Sequence, residues 1–163
     1  MKKLWALVLA LFTLAGCAEM SSAEQTLSLE LTGEMLFSGA NTLSMQANTS
    51  AISLAEGLNI EAEKLVSVGV LEAIIELDAE QKQITESLLL QIVSDQEEMT
   101  TIGTLSPLPE GNAFSLNLAN EMDLLPYLKD EGTTWVLDLN LSEDYMGEMI
   151  VPAELNLVIN YQE

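Results

Sequence analysis

The stretch Thr134-Trp135-Val136-Leu137-Asp138-Leu139-Asn140-Leu141 and its counterpart Leu155-Asn156-Leu157-Val158-Ile159-Asn160-Tyr161 decide the fold class. In the first, Trp135, Leu137, Leu139 and Leu141 fall at every second residue; in the second, Leu155, Leu157, Ile159 and Tyr161 do. Successive side chains of an extended strand point to opposite faces, so this period sets one face into a core. The other face, with Asp138, Asn140, Asn156 and Asn160, is left to water.

The same alternation recurs outward from these two segments. It appears in Leu27, Leu29 and Leu31, in Leu43 and Met45, in Ile52 and Leu54, and in Leu58 and Ile60. Further on it returns in Leu88, Leu90 and Ile92 and in Phe114, Leu116 and Leu118. The segment Val66 to Leu77 carries a partial helical stripe through Leu71, Ile74 and Ile75, but its opening Val66, Val68, Val70 run is β-like. A strand with a bulge at Gly69 is expected there. Asp95 to Glu98, Pro107 to Asn112 and Lys129 to Gly132 have the composition of turns. One short helical turn is expected near residues 122 to 129, around Leu124-Leu125-Pro126-Tyr127-Leu128. The sum is an all-β single domain over residues 26 to 163, an antiparallel β-sandwich of about eight to ten short strands.

Charge narrows the function. Among 163 residues, 26 are Asp or Glu and 5 are Lys or Arg, with no His, for a net charge of -21. Phosphate backbones repel such a chain, so nucleic-acid binding is not expected. Cys17 is the sole cysteine, which excludes an internal disulfide framework and a thiolate metal cluster. Without His, the commonest general base and metal ligand is missing.

The N-terminus reads as an address. Lys2 and Lys3 precede the apolar run Leu4 to Phe12, which is far short of the roughly 20 residues needed to span a bilayer. Leu14-Ala15-Gly16-Cys17 follows and resembles the lipobox of bacterial lipoproteins. That resemblance covers the first 17 residues only. It implies cleavage between Gly16 and Cys17 and attachment of a diacylglycerol, with palmitate-type chains, to the Cys17 sulfur, which holds the protein on its membrane. The residue after the cysteine is Ala18, not the Asp associated with inner-membrane retention, which by resemblance implies the periplasmic leaflet of the outer membrane in a Gram-negative cell; in a cell with a single membrane the same signal implies the outer face of that membrane. Residues 1 to 16 are then a cleaved signal peptide, and 17 to 25 the lipidated cysteine with a short polar tether. The mature chain keeps three lysines against 26 acids, a net charge of -23. Anionic headgroups repel that surface, so attachment falls to the acyl chains.

Asp138, Asn140, Ser142 and Asp144 fall two apart and form a weak candidate cation site. Counted as an EF-hand loop from Asp138, the pattern departs at Glu143 and Met149, where Gly and Glu belong. Met146 and Met149 offer thioethers to Cu(I), but core filling explains them more simply. Paired acids such as Glu97-Glu98, Glu121 with Asp123, Asp130-Glu131 and Glu143-Asp144 fall mainly in turns. Neither Ser-x-x-Lys nor Gly-x-Ser-x-Gly occurs. No catalytic residue, resident metal or cofactor is expected. The function expected is that of a non-enzymatic, lipid-anchored envelope module that binds an envelope protein or supports an assembly. Two alternatives stay open, a small apolar ligand held between sheets and Ca²⁺ held by the acidic strand and loop.

Overall fold

The computed structural model describes residues 19–120 and 122–163. Two long strands organise it: β1, Met20–Leu36, and the C-terminal β9, Tyr145–Gln162, which pair antiparallel from Met20 opposite Gln162 to Leu36 opposite Tyr145. Between them in sequence come β2 (Gly39–Gln46), α1 (Ala51–Leu58), a 3-10 turn (Ala62–Lys64), β3 (Leu65–Glu76) and α2 (Ala79–Ile84). Then follow β4 (Thr85–Val93), β5 (Thr100–Leu105), β6 (Ala113–Ser115), β7 (Asn117–Leu118), α3 (Leu125–Leu128) and β8 (Thr134–Leu141).

The nine strands form one antiparallel sheet in the order β6-β3-β9-β1-β2-β8-β4-β5-β7. It folds into two facing layers. β1 and β2 meet in register at a single pair, Thr32 with Ser44, so the sheet bends there. At the far margins, β6 pairs with β3 and β7 pairs with β5, although only Leu116 separates them in sequence. One run of six residues, 113 to 118, thus bridges both layers and brings the sheet close to a flattened barrel. The Leu116 amide donates to the Ala73 carbonyl of β3 at 2.9 Å, and the Ala119 amide to the Ile102 carbonyl of β5 at 2.8 Å. This nearly removes the free edges at which an open sheet would recruit other chains.

Alternation fills the interior as expected. Met149, Val151, Ala153, Leu155, Leu157 and Ile159 of β9 are buried together with Leu29 and Leu31 of β1, Leu137 and Leu139 of β8, and Leu88, Leu90 and Ile92 of β4. Trp135 and Phe114 are the largest of the fully buried side chains in this cluster. The all-β, sandwich-like architecture and the helical turn near residues 122 to 129 agree with the sequence reading; α3 sits at Leu125–Leu128.

Several details differ. The strands are not uniformly short, since β1 has 17 residues and β9 has 18. Residues 20 to 25, expected as tether, belong to β1: their backbone groups pair with Leu157 to Gln162, a ladder that needs no apolar side chains. Ile52, Leu54, Leu58 and Ile60 do not form strands. Ala51, Leu54, Ala55 and Leu58 line one face of α1, whereas Ile52 is exposed. Ser50 caps its start in a reciprocal pair with Ser53, and Asn59 closes it in the left-handed conformation at φ 59°. Cap chemistry outweighs a two-residue alternation. An analogous pair, Asp78 with Gln81, starts α2. In β3 the register shifts fall on either side of Gly69, between Leu65 and Ser67 and between Val70 and Glu72, while Gly69 itself pairs regularly with Val158. β5 escapes the alternation because Thr100-Thr101-Ile102-Gly103-Thr104-Leu105 offers one fully buried apolar side chain.

The helices cover the two ends. α1 follows the end of β2, where Gln46 pairs with Thr134, and α2 precedes Thr85, which pairs with Leu141 at the other end of β8. Among the described residues no helix is long and apolar enough to cross a membrane.

Candidate functional site

The expected lipidation residue Cys17 and the expected cleavage position Gly16 lie outside the described residues. Of the cation candidates, Asp138 and Asn140 stand on the outer face of β8, while Ser142 and Asp144 belong to the turn into β9. Each is committed to a different neighbour. Thr42 of β2 donates to Asp138, and the Asn140 amide donates to Glu86. The Ser142 hydroxyl donates to the Ile84 carbonyl at 3.2 Å, and Asp144 accepts the Ser38 amide at 2.8 Å. The fold therefore spreads the four groups over four partners and does not aim them at one point. Among the described residues, no group of three or more His, Cys, Asp or Glu is placed to hold a metal.

What this chemistry does instead is join the two turns. The β1 to β2 turn and the β8 to β9 turn lie side by side, because Gly39 pairs with Leu141 and Leu36 with Tyr145. Asp144 spans them through the Ser38 amide. Asn41 holds the neighbouring Phe37 twice, its side-chain oxygen accepting the Phe37 amide at 3.0 Å and its side-chain nitrogen donating to the Phe37 carbonyl at 2.6 Å. A turn with its backbone groups so satisfied presents its side chains in a defined orientation.

Around this end, large apolar side chains face solvent: Met35, Phe37, Met146 and Ile150 are all exposed. Glu34, Glu143, Asp144 and Glu148 stand among them. Alternation cannot flag such residues, since Met35 and Phe37 read in sequence like more core positions. Only the paired strands show that Leu36 alone of residues 34 to 38 is buried.

One surface cleft, of about 530 Å³, is lined by Glu24, Gln25, Thr26, Leu71, Glu72, Ser115, Leu116, Leu118 and Asn156. Within it a ladder runs across three strands: Thr26 donates to Asn156 at 2.9 Å and Asn156 to Glu72 at 3.2 Å. Among the described residues, the one carboxyl with a displaced pKa is Asp130, held below its usual value by the backbone amide of Gly132 and then by Ser94 and Gln96. It organises the turn before β8.

No family model and no curated protein matches the chain. Among solved structures, it is similar to a chain of infectious bursal disease virus, Gx strain, at 14% identity and a TM-score of 0.40, covering 88% of this chain and 33% of that one. It thus spans about a third of the length of that viral chain. It is also similar to a chain of Desmodium yellow mottle tymovirus at 10% identity and a TM-score of 0.34, covering 88% and 89%. A third similarity is to the 60-mer BFDV capsid protein at 10% identity and a TM-score of 0.37, covering 90% and 95%. Likenesses this distant carry no argument about activity, partner or assembly.

Proposed function

We propose that this chain is a lipid-anchored protein of the bacterial cell envelope that acts without catalysis, by binding an envelope protein or supporting an envelope assembly. Acyl chains on Cys17 hold it in the periplasmic leaflet of the outer membrane. The observation that carries the reading is the order Lys2-Lys3, apolar run and Leu14-Ala15-Gly16-Cys17, which ends three residues before β1 begins at Met20. A net charge of -23 on the mature chain, three lysines against 26 acids, supports acyl attachment over electrostatic adhesion to lipid. The apolar-ligand alternative has no observation in its favour, since side chains from both layers occupy the space between them. Nor does the Ca²⁺ alternative, whose four groups are engaged elsewhere.

The test is metabolic labelling with radioactive palmitate, followed by membrane fractionation. Label is expected on the native chain, in the outer-membrane fraction, and none on Cys17→Ser. A native chain recovered unlabelled from the soluble periplasm would refute the anchor.

A further inference from the structure

We infer that the docking surface of this module is the end of the sandwich built from the β1 to β2 and β8 to β9 turns, and that its partner is an envelope protein bearing an apolar socket rimmed with Lys or Arg. This rests on the protein-binding reading above and names the site and the partner's chemistry.

Three large side chains stand out of this end: Met35 is 62% exposed, Phe37 60% and Met146 72%. They are neighbours by pairing. Glu34 pairs with Glu148 and Leu36 with Tyr145, which sets Met35 across from Met146 and Gly147. The Phe37 backbone is held by Asn41, and the turn beside it by Asp144, so the backbone share of the ordering cost of binding is met in the free protein. Exposed aromatic and thioether side chains on an ordered backbone are the usual anchors of a protein interface.

Charge selects the partner. Residues 34 to 39 and 142 to 150 contain Glu34, Glu143, Asp144 and Glu148 and no Lys or Arg. Lys64 and Lys129 lie beside α1 at the opposite end, while Lys82, on the α2 that borders this end, is turned over the Phe114 ring, 5.5 Å from its centre. A second copy of this end would bring acid against acid, and anionic headgroups are repelled as well. A basic rim around an apolar socket complements both features at once. Position agrees: β1 runs continuously from Met20 to Leu36, about 50 Å at strand rise, so this end lies far from the residues that follow Cys17.

Two features at the same place disfavour the free fold. Glu34 faces Glu148 directly, a like-charge pair across a ladder, and Met35 adopts φ 48°, a conformation uncommon for a residue with a side chain. Both are relieved by substitutions that injure docking, which makes the proposal separable from folding.

The experiment places a photoactivatable phenylalanine analogue at Phe37 or Met146 in the full-length protein in its own cells, with Ser44 and Thr104, exposed positions within β2 and β5 away from the two turns, as controls. A discrete adduct is expected from positions 37 and 146 and not from 44 or 104. Its partner, identified by mass spectrometry, is expected to carry Lys or Arg around the crosslinked residue. Glu148→Lys is expected to lower the yield about fivefold, while raising the melting temperature because Glu34 then faces a cation. An adduct of twice the chain's mass, equal yields from the control positions, or a yield that Glu148→Lys leaves unchanged would overturn the proposal. Adducts from 44 and 104 alone refute this end but keep the protein-binding reading; no adduct from any position refutes both. Adducts that persist without palmitate on the native chain refute only the anchor.

Discussion

Gly103 sits where the bridging segment crosses β5, and replacing it by alanine tests whether the sheet really closes there. Gly103 is buried and pairs with Leu90 of β4 on one side and Leu118 of β7 on the other. A Cβ at this position would lie 2.9 Å from the Leu116 Cβ, 3.2 Å from the Asn117 carbonyl oxygen and 3.4 Å from Leu118 Cδ2. Carbon atoms rest at about 3.5 to 4.0 Å, so Leu116 must withdraw by about 0.6 Å or more. The nearest atom is a Cβ, so the backbone has to move, and with it the Leu116 amide bonded to Ala73. Overpacking of this kind costs about 1–3 kcal/mol. The φ of Gly103 is not among the positive values, so alanine recovers about 0.4–1 kcal/mol through the unfolded state. The expected net loss is about 1–2 kcal/mol, or a melting temperature lower by roughly 3–8 °C.

The assay is thermal unfolding of the Cys17→Ser chain by circular dichroism, with Gly57→Ala alongside as a control of opposite sign. Gly57 lies in the last turn of α1, and its added Cβ meets only the Gln25 side-chain amide, at 3.5 Å. There alanine should stabilise by about 0.5 kcal/mol. If Gly103→Ala melts at or above the parent while Gly57→Ala behaves as stated, residues 116 to 118 do not lie over β5 and the closure argument fails.

Trp135 is the sole tryptophan after the expected cleavage and is fully buried, so its fluorescence should be blue-shifted and resist acrylamide until the domain unfolds; ready quenching in the native state would contradict the core described. Its indole nitrogen has no hydrogen-bond partner, so Trp135→Phe should cost less than the about 3–5 kcal/mol typical of deleting a large aromatic, as measured by urea titration. Asp78→Ala removes the cap of α2 and should destabilise by about 1 kcal/mol, with Asp78→Asn nearly neutral. Asp130 has a folded-state pKa below its usual 3.8, so its contribution is present above that value and fades as pH falls through the lower folded value. Asp130→Asn should therefore flatten the acid limb of the stability profile and change nothing below it; an unchanged profile would count against the hydrogen bonds from Gly132 and Gln96.

The sequence by itself determined what rests on local pattern. Alternation at Trp135 to Leu141 and Leu155 to Tyr161 specifies extended backbone with one buried face, because side-chain direction in a strand repeats every two residues whatever lies beside it. Net charge, the missing His and the lone Cys17 exclude most chemistry without reference to any fold. Cap pairs at Ser50 and Asp78 were present in the sequence too, and reading them would have replaced two false strands by α1 and supplied α2. Only the tertiary structure decided which strands pair and what the turns bring together. The joining of β3 to β5 through residues 113 to 118, the recruitment of residues 20 to 25 by the end of β9, and the meeting of Met35 with Met146 all link positions distant in sequence. Register between such segments is set by the total packing of one core and by loop closure, neither of which any single segment encodes. For the same reason the four groups at Asp138, Asn140, Ser142 and Asp144, evenly spaced in sequence, end on four separate partners: two lie on a strand and two in a turn, and each binds whichever element the fold sets beside it.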